Sequence, residues 1–265
     1  MLPELFRDLG IRAPTRLESR WTAVNGRSLH SRSGGVVRTG SIPFVLVHGL
    51  VISSLYMIPL AERIAEEHEV HALDLPGFGR SEGPREVLTI PELAEWVIAW
   101  MAAMGIHQCH LVANSLGCEI CAQVAVDAPE RVATLTLIGP TIDPKAHSFG
   151  VQVARLLRDS PREPLRLRMN WMFDFFRAGL RRAIGTTSAM FRYYIEEQLP
   201  RIAAPTLVLR GENDSTEPQS AARAMTQLLV RGRLITIADA PHCVHYTNPR
   251  ETWRAIRDHV QAHSA

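Results

Sequence analysis

The sequence has little of what would set it apart from ordinary globular proteins. Its 265 residues contain only four cysteines, Cys109, Cys118, Cys121 and Cys243, too few for a disulfide scaffold in a chain of this length. Cys118 and Cys121 form a C-x-x-C, but they follow Ser115 in a stretch that reads as helix, without the strand-to-helix setting of a redox motif, so helix packing explains them. Aromatic residues make up 6%. No apolar run approaches the roughly 18 uncharged residues that span a bilayer, and MLPELFRDLG at the start has no long apolar segment behind a basic one. The expectation is a cytoplasmic protein with no membrane partner. An excess of one charge is missing too: Lys plus Arg number 29 and Asp plus Glu 27, so there is no basic footprint for nucleic acid. Repeats and low-complexity tracts are absent.

What is present is an apolar fraction of 46%, sufficient for one large core, and an alternation of short apolar runs with longer amphipathic ones. That alternation is the mark of an α/β domain. Trp21–Val24, Asn25-Gly26 and Arg27–Ser31 read as a β-hairpin, because Asn-Gly supplies the two positive-φ residues of a tight primed turn. Phe44–Val47 and Val70–Leu73 are continuous apolar runs, as expected of strands buried on both faces of a parallel sheet. Further strands are expected at Cys109–Val112, Thr134–Ile138, Thr206–Arg210 and Arg233–Ile237, with helices at Pro91–Met104, capped by Gly105, and at Leu116–Ala128. The fold class is α/β: a mostly parallel twisted sheet with helices on both faces.

About sixty residues separate the strand ending near Ile138 from the one beginning at Thr206, more than a single crossover helix requires. This stretch holds Trp171, Met172, Phe173, Phe175 and Phe176 among many arginines, and reads as a helical cap inserted into the core. The expected division is therefore core 1–140, cap 141–200 and core 201–265. The aromatic cluster would give a mainly apolar pocket. The arginines would either solvate the outer face of the cap or bind an anionic substrate.

The strongest local signal is Leu111-Val112-Ala113-Asn114-Ser115-Leu116-Gly117, a strand entering a serine and leaving as a helix, with small residues two positions to either side. Small flanks are needed because a turn sharp enough to lift a serine hydroxyl above the sheet edge crowds the two backbones together. A nucleophilic serine needs a base for its proton and a carboxylate to hold the imidazole in one tautomer. Asp214 follows the strand Thr206–Arg210 and His242 follows the strand ending at Ile237, in the chain order Ser, Asp, His. Both lie past carboxyl ends of strands, where an open α/β sheet forms its crevice.

With these residues the chain resembles the α/β-hydrolase superfamily, in its serine-nucleophile, helical-cap branch. His48-Gly49-Leu50 is similar to the family's oxyanion-loop opening. Asp74 to Ser81 matches its Asp-x-Pro-Gly-x-Gly-x-Ser pattern, and Pro249 follows His242 at the family's seven-residue interval. Ala113, Asn114, Cys118 and Pro241 depart from the commonest family residues and set the chain apart from the best-known subfamilies. The resemblance implies Ser115 as nucleophile, His242 as base and Asp214 as orienting acid, with the backbone N–H groups of Leu50 and Leu116 as the oxyanion hole. No cofactor is expected, and His48, His242 and His245 lack the ligand spacing of a metal site.

Asp143, after the earlier strand, is the rival acid. Asp239 lies only three residues before His242 and reads as surface solvation; His245 is a weaker candidate base. A serine at the elbow argues against the branches whose alkyl-enzyme intermediate requires a carboxylate nucleophile. The expected activity is hydrolysis of a small-molecule ester through an acyl-enzyme. Carbon–carbon bond hydrolysis of a diketone and a non-catalytic ligand receptor are the alternatives.

Overall fold

The structure, a computed structural model, describes residues 17–140 and 163–263. Strands β1 (Glu18–Val24) and β2 (Arg27–Gly35) form the expected hairpin, turned by Asn25 at φ 49° and Gly26 at φ 73°. The remaining strands are β3 (Phe44–Val47), β4 (Glu69–Leu73), β5 (Cys109–Asn114), β6 (Val132–Ile138), β7 (Thr206–Gly211) and β8 (Gly232–Ile237). They join in one sheet of order β1-β2-β4-β3-β5-β6-β7-β8. The β1–β2 and β2–β4 pairs are antiparallel and the other five are parallel, so the sheet is mostly parallel as the apolar runs imply.

Helices α1 (Ile58–Ala65) and α7 (Pro249–Gln261) cover one face; α2 (Ile90–Ala103) and α3 (Leu116–Asp127) cover the other. Strand β3 shows why its sequence carries no polar alternation. Val45 and Val47 pack with Trp100 of α2 and Ile120 of α3, while Phe44 and Leu46 pack with Leu60 of α1 and Trp253 of α7. Helix α2 starts in a capping box, in which Thr89 and Glu92 each accept the other's backbone N–H, and Gly105 follows its end at φ 73°.

Chain order reverses at β3, which has β4 on one side and β5 on the other. A crevice forms at such a switch point, beyond the carboxyl ends of the two strands. His48-Gly49-Leu50 leaves β3 there and Ser115 leaves β5. Between β6 and β7 the described part of the insertion contains α4 (Leu165–Ala178) and α5 (Leu180–Met190), followed by short turns at Ile195–Gln198 and Leu199–Arg201; residues 141–162 of the expected cap lie outside the described residues. Polar contacts tie this part of the insertion to the core. Arg182 Nη2 donates to Pro84 O at 2.7 Å and Tyr193 Oη to Gln123 Oε1 at 2.9 Å, and the Asp174 carboxylate accepts from Ser53. Helix α6 (Gln219–Leu228) links β7 to β8. Among the described residues no helix is long and apolar enough to cross a membrane.

Candidate active site

Ser115 occupies the single residue between β5 and α3, at φ 55° and ψ −127°. Residues with a Cβ rarely adopt this region, and when held there they mark turns that the surrounding structure enforces. The enforcement is visible: Ser115 N–H donates to Ile138 O at 3.0 Å, and its carbonyl accepts from Cys118 N–H at 2.8 Å. Gly117 is required by close approach, since a Cβ there would lie 2.6 Å from Val47 O and 2.7 Å from His48 O. Cys118, where a second glycine is common, turns its Sγ toward Ala113 O and Ile138 O, at 3.5 Å from each. Both C-x-x-C cysteines are buried in α3 and burial raises their thiol pKa well above the ordinary value.

Asp214 and His242 meet, although 28 positions separate them: His242 Nδ1 lies 2.8 Å from Asp214 Oδ2. The other carboxylate oxygen accepts from Thr216 N–H at 2.8 Å and Glu217 N–H at 3.0 Å. The loop is fixed from below by buried Arg210, whose guanidinium donates to the carbonyls of Glu217 (3.2 Å) and Asp214 (3.1 Å). Burial alone would push the Asp214 pKa up, but the charge and hydrogen bond of His242 and the two backbone N–H groups hold it below the ordinary value. Glu217 beside it goes the other way, raised by burial and by the Asp214 charge. An ionised carboxylate only accepts, so the shared proton is on Nδ1 of His242 and the basic lone pair belongs to Nε2, on the opposite edge of the ring. Gly139 makes room: at φ 55°, a Cβ on it would lie 2.7 Å from His242 Cε1.

The segment carrying Leu50 is clamped to the elbow by one hydroxyl. Tyr56 Oη accepts from Gly49 N–H at 2.6 Å and donates to Asn114 Oδ1 at 2.7 Å, and Asn114 Nδ2 donates to Ile138 O at 2.9 Å. Asn114, where histidine is common, is thus the elbow half of this clamp. Leu116 is the first residue of α3, so its N–H has no partner within the helix and points out of the helix's positive end. Leu50 is half-buried and followed by Val51 at φ 51°.

The two motifs around this segment have structural roles. His48 accepts Leu75 N–H on Nε2 and donates from Nδ1 to Gly49 O, each at 2.9 Å, and burial lowers its pKa, so it is a neutral brace. Asp74 accepts from Ser54 N–H (2.7 Å), from Arg80 N–H (2.9 Å) and from His30 Nδ1 (2.7 Å). Burial would raise its pKa, but these bonds and the His30 charge bring it down to about 2.

The rivals fare differently. His245 is fully buried in edge-to-face contact with Tyr56, at a ring separation of 4.6 Å, and burial lowers its pKa to about 3. Its imidazole packs behind the clamp instead of reaching the crevice. Asp239 is exposed at φ 54°, and Asp143 lies outside the described residues. The aromatic cluster is split. Phe175 packs against the core, while Trp171, Met172 and Phe176 are exposed, so those three do not form the pocket wall expected of them. The reason is local: α4 gives its buried side to Leu167 and Asp174. A cleft of about 460 Å³ opens between the start of α2 and α5, lined by Val87, Ile90, Gly185 and Tyr193 and by no residue of the site. Sequence reasoning missed Tyr56, Gly139 and Arg210, which have no spacing signal and act through tertiary contacts.

A family model described as alpha/beta hydrolase fold matches residues 42–249. The pimeloyl-[acyl-carrier protein] methyl ester esterase of Aeromonas hydrophila subsp. hydrophila is 26% identical over 256 residues, covering 86% of this chain and 99% of that protein. Among solved structures, a bacterial membrane phospholipase A is 27% identical with a TM-score of 0.75, covering 98% of this chain and 91% of its own. A thermophilic esterase from Thermogutta terrifontis has a TM-score of 0.77 at 20% identity, covering 92% and 98%, a likeness of fold.

Proposed function

The chain belongs to the alpha/beta hydrolase fold family, and from that premise we propose that it is a serine hydrolase cleaving a small-molecule carboxylic ester through an acyl-enzyme on Ser115. The observation that carries the reading is the buried Asp214–His242 pair at 2.8 Å, in a chain whose Ser115 is held at positive φ at the head of a helix. Two of the relatives that it resembles are named for ester cleavage, a methyl ester esterase and a phospholipase A, which supports an ester as the bond attacked.

In this mechanism Nε2 of His242 takes the Ser115 hydroxyl proton as Oγ attacks the ester carbonyl. Asp214 stabilises the imidazolium and stays ionised, as its lowered pKa requires. The N–H groups of Leu50 and Leu116 receive the oxyanion, which is worth about 3 kcal/mol for a single donor. The tetrahedral adduct collapses and the leaving alcohol takes the proton from His242. Water, deprotonated by the same nitrogen, then attacks the acyl-enzyme, releasing the carboxylic acid and restoring the serine. Residues 141–200, which include α4 and α5, form the cap of this reading, and no cofactor or metal enters it. Turnover of short-chain p-nitrophenyl esters tests it: Ser115→Ala and His242→Ala should each lose about 10³-fold or more in kcat, and a Ser115→Ala variant as active as the wild type would exclude it.

A further inference from the structure

The inserted helices carry an apolar face on the side opposite the core. On α4, Leu165, Met169, Met172 and Phe176 recur at the four-three-four spacing that places them on one stripe. Of these, Leu165 is 68% and Phe176 75% exposed. On α5, which follows after Gly179, Leu180 is 62% and Ile184 61% exposed. The side of α4 toward the core holds Leu167, Phe175 and the buried Asp174, so this helix is apolar on its outer side as well as its inner one. Isolated exposed apolar residues need no explanation, but a contiguous row of large ones marks a contact surface.

Charge narrows the class of partner. From Leu165 to Met190 the sequence has five arginines and one carboxylate, Asp174, which is buried. Arg168, Arg177 and Arg181 are exposed and border the apolar stripe. The face is a row of Leu, Met, Phe and Ile whose charged border is arginine alone. It matches a lipid interface, where the apolar side chains enter the acyl boundary and the guanidinium groups stay at anionic headgroups.

We propose that the outer face of α4 and α5 docks on an anionic lipid surface. The side chains penetrate only the interface, so that no helix among the described residues is long and apolar enough to span a membrane does not bear on it; the proposal departs from the expectation of no membrane partner, which rested on spanning segments. Docking would place the site against the lipid, because the inner side of α4 is tied through Asp174 to Ser53, three residues beyond Leu50. The inference is independent of the acyl-enzyme reading, since vesicle binding requires no turnover.

Co-sedimentation with vesicles of phosphatidylcholine alone and of phosphatidylcholine mixed with phosphatidylglycerol tests the proposal. The wild type should sediment with the mixed vesicles and far less with the zwitterionic ones. Leu180→Ser/Ile184→Ser should lose this binding while keeping its melting temperature and its turnover of a short-chain water-soluble ester. Arg177→Gln/Arg181→Gln should bind the mixed vesicles roughly 30-fold more weakly, the worth of two arginines at an anionic surface. Absence of vesicle binding by the wild type, or binding that neither variant diminishes, would overturn the proposal. So would a wild-type dimer that the Leu180→Ser/Ile184→Ser variant turns into a monomer, since the face would then belong to a second copy.

Discussion

Replacing Tyr56 with phenylalanine removes one oxygen and disconnects two halves of the site. The hydroxyl accepts Gly49 N–H at 2.6 Å and donates to Asn114 Oδ1 at 2.7 Å, and Tyr56 is buried, so water cannot readily take its place. Burial also raises its pKa well above the ordinary value, so it acts as a neutral hydroxyl at any working pH. Tyr56→Phe leaves a buried N–H and a buried amide oxygen without their partner, at about 1–3 kcal/mol each. The variant should therefore be about 2–4 kcal/mol less stable in urea unfolding. It should also lose turnover, because the Gly49 peptide immediately precedes the Leu50 N–H. Loosening one oxyanion donor worth about 3 kcal/mol lowers kcat by about 10- to 100-fold, with KM little changed. Asn114→Ala keeps the Gly49 contact and should cost less kcat than Tyr56→Phe. A Tyr56→Phe enzyme with wild-type kcat would refute the clamp, whatever its stability.

Gly139→Ala should lower kcat at least about 10-fold and reduce the melting temperature, because alanine at φ 55° is strained by about 1–2 kcal/mol and its methyl meets the His242 ring; ester kinetics and calorimetry check both. Asp74 is held at about 2 against an ordinary 3.8, so its contribution of about 2 kcal/mol is full above pH 4 and lost as the pH falls through 2. Asp74→Asn should thus be less stable than the wild type at pH 7, with the gap closing in acid denaturation toward pH 2. Asp174 has the opposite sign: burial first, and the Asp74 charge after it, raise its pKa to about 6 despite the Ser53 hydrogen bonds. Its ionisation destabilises the fold as the pH rises from 4 to 6, so Asp174→Asn should gain about 1–2 kcal/mol at pH 7 and nothing at pH 4 in urea unfolding, the amide oxygen still accepting from Ser53.

How far the sequence could be read follows from where each signal resides. Strand β3 and the Asn25-Gly26 turn were legible because burial on both faces and positive φ leave local marks in residue choice. Strand β1 reaches further than Trp21–Val24, back to Glu18, because an edge strand with exposed side chains lacks an apolar pattern. The meeting of Asp214 and His242 followed from their places beyond neighbouring strands. Tyr56 could not be found that way: its partner Asn114 is 58 positions distant, and one hydroxyl leaves no periodicity. The aromatic cluster was legible as composition but not as direction. Which side of α4 faces the core was decided by Leu167 and Asp174, and a buried aspartate is the reverse of what polarity alone suggests.

The acyl-enzyme on Ser115 is tested most directly by mass spectrometry of the protein after exposure to a fluorophosphonate probe, beside Ser115→Ala and Asp214→Asn. The account predicts one adduct on the peptide containing Ser115, none in Ser115→Ala, and labelling slowed by orders of magnitude in Asp214→Asn, whose histidine is held in the wrong tautomer. A folded wild type that forms no adduct, or an adduct that persists in Ser115→Ala, would contradict it.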